Sequence, residues 1–276
     1  MSGHRWTRVT LLVYAFSMPL YAIASLTGEL SWVDFSTAFT ALAWFAFSLS
    51  HCAFRFGPAR TAFMLFSAFA IALTAEYLGS TYGFIFGAYQ YTDRLGPKAF
   101  GVVPLIIPLA WFMMLYPSWM LAGVIQRRIA FARRAARSAS RVVTAALAMT
   151  AWDLSLDPRM VQEGAWVWQP TNALAYFGIP LTNFVGWFVT AAAIYVVWSW
   201  AVRDAAEAEQ PHHATLPVLA YAIAWLGESF ANLVFWGRPA VALCTAVAMG
   251  LFAVPAIRDV LSQSVRTTHA HQPADL

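Results

Sequence analysis

The stretch GVVPLIIPLAWFMMLYPSWMLAGVI, residues 101–125, holds no charged side chain, and QRRIAFARRAARSASR, residues 126–141, follows it directly. A helix needs about 20 mostly apolar residues to cross the hydrocarbon core of a bilayer. A charge-free run of that length, closed by a block of arginine, reads as a membrane span with its cytoplasmic anchor. Working outward, comparable runs lie at 9–27, 33–53, 60–79, 181–202, 215–236 and 239–257. A weaker one covers 141–156, with Pro158 expected to end it. The expected fold class is all-α: a polytopic integral membrane bundle of about eight transmembrane helices, or seven if 141–156 does not cross. The first run follows Arg5 and Arg8 but exceeds the roughly 7–15 apolar residues of a cleaved signal, so it reads as a retained helix.

Composition agrees. Of 276 residues, 60% are hydrophobic and 11% charged, with 13 Trp and a mean hydropathy of +0.60. A soluble domain carries about 25% charged residues. That contrast excludes a cytosolic enzyme, a disordered chain and a secreted disulfide scaffold. Cys52 and Cys244 both lie in apolar runs and specify neither a disulfide framework nor a metal cluster.

With the N-terminus in the cytoplasm and eight crossings, the outside segments hold Arg94, Lys98, Arg159 and Arg238, and the inside segments the other 13 of 17 Lys and Arg, Arg203 and Arg266 among them. The bias has the sign of the positive-inside rule and puts both termini in the cytoplasm of a multi-pass protein of the cytoplasmic membrane. The Arg-rich loop 126–141 is then read as a topology anchor, with a nucleic-acid or anionic-lipid site as the sharper alternative. The chain forms one integral membrane domain over 1–276, polar at its ends (1–8 and 262–276), where fraying is expected. Two outside segments are long, aromatic and rich in Gly and Pro: STYGFIFGAYQYTDRLGPKAF at 80–100 and DPRMVQEGAWVWQPTNALAYFGIP at 157–180. Irregular backbone at membrane depth survives only when buried in protein or lining a cavity, so both are expected to fold back over the bundle as a lid.

Ionisable groups within spans are costly and mark functional sites. In this topology Asp34, Glu76, Asp153 and Asn183 all fall at the outer ends of their helices, and Glu228 and Asn232 in the outer half of the seventh span. Glu228 and Asn232 are four apart and share a helix face. Five helices thus bring carboxyl or amide groups to one leaflet. Asp34 serves equally as an interface residue, Asn183 and Asn232 as interhelical hydrogen-bond partners, and Asp157, before a proline, as a turn residue. Gly79, Gly83 and Gly87 form a double GxxxG if the third helix continues that far, either for close helix packing or as a smooth groove for a flat ligand. Trp111, Trp166 and Trp187 fit an interfacial belt or a wall facing a cation. The histidines His212, His213, His269 and His271 read as solvated. No P-loop, GxGxxG, GxSxG or Cys/His ligand set is present. The inventory suits acid–base chemistry on an apolar substrate without a cofactor.

At these residues the sequence resembles the membrane-integral carotenoid 1′,2′-hydratases of the CruF type, whose archaeal relatives are bisanhydrobacterioruberin hydratases. The resemblance rests on Glu76-x-x-Gly79-x-x-x-Gly83-x-x-Phe86-Gly87-x-Tyr89-x-Tyr91 and on Gly101-x-x-Pro104-x-x-x-Pro108-Leu-Ala-Trp111. A second block holds Asp153-x-x-x-Asp157-Pro158, Gly164-x-Trp166-x-Trp168 and Tyr176-x-Gly178-x-Pro180-Leu181-x-Asn183-Phe184-x-Gly186-Trp187. What it implies is a carotenoid biosynthesis enzyme. Such an enzyme adds water across the terminal C1′=C2′ double bond of an acyclic end (γ-carotene-like or lycopene-like), leaving a 1′-hydroxy carotenoid. The partners are then the polyene, water, the lipid bilayer and downstream carotenoid-modifying enzymes.

Hydration of a trisubstituted alkene needs an acid to protonate C2′ and a base to take a proton from the attacking water. Glu76 is the first candidate acid, with Asp153 and Glu228 next. Asp153 is a candidate base, Asn183 and Asn232 would position the water, and Gly79, Gly83, Gly87, Tyr89, Trp111, Trp166 and Trp187 would contact the substrate. Two alternatives use the same features: an intramembrane carotenoid cyclase or isomerase, and a polytopic lipid or proton transporter. The latter lacks the expected inverted repeats. A magnesium-dependent prenyltransferase would need a second Asp-rich motif beside Asp153-x-x-x-Asp157.

Overall fold

A computed structural model describes residues 2–170, 173–202 and 211–269. Arg203, His271 and the tail 270–276, all read above, lie outside them. Eight helices make up the bundle among the described residues: α1 (Ser2–Thr27), α2 (Leu30–Phe56), α3 (Pro58–Tyr82), α4 (Ile106–Gln126), α5 (Arg134–Gln162), α6 (Leu181–Ala201), α7 (Thr215–Val234) and α8 (Pro239–His269). Seven are long and apolar enough to cross a membrane, α5 being the exception. The chain is a multi-pass membrane protein.

Burial sorts the helices by their sequences. α4, apolar all round, is the central helix, with nearly every residue from Trp111 to Val124 buried. That is where a helix without a polar face belongs. The outer helices turn large apolar side chains outward, among them Phe16, Phe66, Val185, Phe230 and Leu251, as a lipid-facing surface requires. α5 is the polar helix, and it survives by packing against α4, α6 and α8. There its Asp153, Ser155 and Asp157 are buried.

Prolines interrupt these helices without ending them. A helical proline leaves the carbonyl four residues earlier without its N–H partner. For Pro117 that carbonyl belongs to Met113, and Ser48 Oγ donates to it at 2.7 Å. For Pro158 it is that of Leu154, and Tyr176 Oη donates to it at 3.1 Å. The expectation that Pro158 ends its helix is therefore corrected: α5 runs on to Gln162 because a neighbouring segment fills the vacant bond. Asp157, expected in a turn, is helical for the same reason. The Arg-rich segment is only partly a loop, since α5 begins at Arg134. Helix also covers 2–8 and 262–269, where polarity suggested fraying.

The third helix does not continue through the three glycines. α3 stops at Gly83, left-handed at φ +67°, whose N–H bonds to Gly79 O, and Gly87 lies in the following loop at φ +112°. Beyond it, β1 (Tyr89–Tyr91) pairs antiparallel with β4 (Trp166–Trp168), placing Tyr89 opposite Trp168 and Tyr91 opposite Trp166. Two short hairpins complete the loops: β2 (Lys98–Ala99) with β3 (Val103–Pro104), and β5 (Ala175–Tyr176) with β6 (Ile179–Pro180). Further bonds bind the two long loops into one layer, with Gln169 N donating to Ala88 O at 2.9 Å and Thr92 Oγ1 to Gly164 O at 2.7 Å. Arg94 anchors that layer to α2 through Asp34 at 2.5 Å.

Candidate active site

In a strand, alternate side chains face one way. The β1–β4 register therefore turns Tyr89, Tyr91, Trp166 and Trp168 into the bundle, while Gln90 and Val167 are exposed. The four inward rings end on carboxylates. Tyr91 Oη donates to Glu76 Oε2 at 2.7 Å, Tyr89 Oη to the same oxygen, and Trp111 Nε1 to Glu76 Oε1 at 2.8 Å. Trp166 Nε1 and Trp168 Nε1 both donate to Asp157 Oδ1, at 2.7 and 3.1 Å. Burial and the facing Glu76 carboxyl push the phenols of Tyr89 and Tyr91 well above their ordinary pKa, which keeps them protonated donors.

Asn183, two residues into α6, joins the second carboxylate pair. Its Nδ2 donates to Asp153 Oδ2 at 2.8 Å and to Asp157 Oδ2 at 2.7 Å. Asp153 Oδ1 is buried and has no hydrogen-bond partner among the described residues. The indole of Trp187, one turn further along α6, stacks on Trp111 with centroids 4.4 Å apart. Glu76, Asp157, Asn183, Trp111 and Trp187 surround a cavity of about 30 Å³, room for about one water. Beside it lies a larger apolar cavity of about 350 Å³ between α1, α2, α4, α5 and α7. Ile107, Ala110, Leu156 and Trp166 line both.

The two remaining acid and amide candidates fall elsewhere. Two residues along a helix is about 200° of rotation, so Ser155 and Arg159 point away from Asp153 and Asp157, toward α7. There Ser155 Oγ donates to Glu228 Oε2 at 2.8 Å, Arg159 pairs with Glu228 at 3.3 Å, and Asn232 Nδ2 donates to Ser155 Oγ at 2.7 Å. Glu228 and Arg159 line the large cavity, not the small one. The single convergence expected from the sequence is thus two clusters on opposite faces of α5. Nearby, burial and the neighbouring Glu228 push Glu163 up to about 8, and burial with the adjacent Arg159 lowers Arg238 to about 10.

The glycines are also not an open groove. A Cβ on Gly79 would lie 2.6 Å from Phe86 Cδ2, and one on Gly186 would lie 2.4 Å from Phe86 Cδ1. The chain's own Phe86 ring fills the space between α3 and α6. Gly87 sits against Thr182 and Trp168. Asp34 is tied to Arg94 at the rim. Sequence reasoning passed over Tyr91, Trp168, Ser155 and Arg159 as site residues; the i, i+2 aromatic pairs were the available signal for the first two.

A membrane bundle with buried carboxylates beneath an aromatic cap, next to an apolar chamber, is the form of an enzyme or carrier for a hydrophobic molecule. The chain belongs to the carotenoid biosynthesis protein family, whose family model matches residues 32–253. It is 26% identical over 125 residues to the bisanhydrobacterioruberin hydratase of Haloarcula japonica. That match spans 45% of this chain and 40% of the relative's length. No solved structure matches the chain.

Proposed function

We propose that the chain hydrates the acyclic end of a carotenoid, adding a proton to C2′ and hydroxyl to C1′ of the terminal double bond to give a tertiary alcohol, with no cofactor. The observation that carries this reading is the pairing of a one-water cavity walled by Glu76, Asp157 and Asn183 with an apolar chamber that shares its wall. The polyene end reaches through Ile107, Ala110, Leu156 and Trp166, and water waits among the acids.

The hydrogen bonds favour a division of labour different from the one expected from sequence. Asp153 and Asp157 both approach one amide nitrogen, too close for both to carry charge cheaply, so the pair holds one proton. At rest that proton sits on Asp153, whose Oδ1 has no partner among the described residues, because Asp157 already accepts three N–H bonds. It reaches C2′ through Asp157, which lines the cavity. The tertiary cation at C1′ faces the stacked rings of Trp111 and Trp187. Water adds to C1′, and its surplus proton passes to Glu76, whose carboxylate is held as an acceptor by three donors. The proton returns from Glu76 through cavity water to the aspartate pair, which closes the cycle. Glu228, bound to Arg159, stays outside the proton transfer and shapes the large chamber. In the cytoplasmic membrane, with both termini in the cytoplasm, this site lies toward the outer leaflet.

Expression in a host that makes γ-carotene or lycopene, followed by mass spectrometry of the extracted pigment, tests the reading. The expected product is heavier by one water and, from deuterated water, carries one deuterium at C2′. A pigment of unchanged mass but altered absorption would point to a cyclase or isomerase instead. Unaltered pigment would leave a transport role and refute hydration of those substrates.

A further inference from the structure

At the end of the bundle opposite the carboxylates, the last turns of α4 and α6 and the first turns of α5 enclose a cavity of about 680 Å³. Arg127, Arg133, Arg134, Arg137 and Arg141 line it, and no acidic side chain does among the described residues. Two of them show that it is more than a solvated charge run. The Arg141 side chain is buried, lies 4.1 Å over the Trp119 ring and donates to Trp119 O at 3.1 and 3.3 Å. All three guanidinium nitrogens of Arg127 are shut off from solvent, with no hydrogen-bond partner among the described residues. Its sequence neighbour Arg128, in contrast, is paired with Asp259 at 2.8 Å outside the cavity.

A desolvated guanidinium without an acceptor is costly, and it is stabilised by an anion that accepts from its fork. Phosphate oxygens match that fork bidentately. We infer that this cavity binds a phosphate-bearing anion, with Arg127 as the principal contact and Arg137 on its rim. The exposed indole of Trp200 beside it is suited to the headgroup depth of a bilayer, which favours the headgroup of an anionic lipid over a soluble phosphate.

The test uses the full chain in uncharged detergent, with phosphatidylglycerol, phosphatidylcholine and sodium pyrophosphate as probes, read by native mass spectrometry and by shifts in unfolding temperature. One phosphatidylglycerol is expected to bind saturably. Arg127→Gln should weaken it about tenfold to a hundredfold. Arg60→Gln, which removes the same charge from an exposed site outside the cavity, should change it less than about twofold. Saturable pyrophosphate binding with the same variant pattern, and no lipid uptake, would uphold the phosphate site and assign it to a soluble anion. Equal weakening by Arg60→Gln, uptake of phosphatidylcholine as tight as that of phosphatidylglycerol, or no saturable binding of any probe overturns the proposal. The last two are read on the unaltered chain, so they hold whether or not Arg127→Gln folds; Arg137→Gln, at an exposed position, is the second variant.

Discussion

Replacing Asp157 by asparagine should cost stability, and the same change at Asp153 should not. Asp157 accepts three N–H donors, two indoles on Oδ1 and the Asn183 amide on Oδ2. An asparagine there has one accepting oxygen. If that oxygen keeps the indoles, its own NH2 meets the NH2 of Asn183; if it turns, two indoles lose their acceptor. Asn183 cannot relieve the conflict by flipping, because its oxygen would then face Asp153. The loss is at least one charge-assisted hydrogen bond in a buried site, about 1.5–3 kcal/mol. For a chain of this size that is a fall of roughly 3–5 °C in unfolding temperature. At Asp153, among the described residues, only Oδ2 is engaged and Oδ1 has no partner, so an asparagine can keep its oxygen on Asn183 and place NH2 at the unengaged position. Thermal unfolding followed by circular dichroism separates the two variants. Pigment mass spectrometry should find hydration reduced at least about a hundredfold in both, as expected for loss of a general acid. Equal stability of the two, or Asp153→Asn the weaker, would refute the hydrogen-bond reasoning. Full hydration by Asp153→Asn would refute the shared proton.

Gly79→Ala and Gly186→Ala each drive a methyl into the Phe86 ring. Each should destabilise by about 1–3 kcal/mol, and Phe86→Leu in the same chain should recover part of the loss in an unfolding assay. Tyr176→Phe removes the donor to Leu154 O and should cost about 0.5–1.5 kcal/mol. The loss should shrink when Pro158→Ala restores an N–H to that carbonyl, which a double-mutant cycle measures. Glu163 rises from 4.5 to about 8 in the folded protein. Between those values the folded state holds a proton that the unfolded chain has released, so the contribution to stability is full below about pH 4.5 and is lost as pH rises through about 8. Glu163→Gln should flatten that decline; an unchanged slope would show that another group sets it.

The bundle was legible because its cause is local. A bilayer demands long apolar runs, and each run announces its helix regardless of the others. The four-residue spacing of Asp153 and Asp157 sets two acids on one face of a continuous helix, but the proline after Asp157 made that residue read as a turn, so the pair was not legible. The same arithmetic of 100° per residue could have set Ser155 and Arg159 on the other face, yet their partners on α7 are set by how α5 is rotated within the bundle. Two readings failed because local signals were overridden from afar. Pro158 does not end its helix, since Tyr176 from a later loop satisfies the carbonyl it frees. The glycine series does not extend α3, since Gly83 turns the chain and Phe86 folds back onto Gly79.

Helix number, membrane residence and family membership were therefore written in the chain alone, since each depends on composition or short spacing. The tertiary structure alone decided which acids meet. Pairing of Tyr89–Tyr91 with Trp166–Trp168 joins segments separated by two whole helices, and only that pairing aims four aromatic donors at Glu76 and Asp157. The rotation of α5 then sends Glu228 to a separate cluster. A carboxylate's role depends on the donors around it, and those donors arrive from distant parts of the chain.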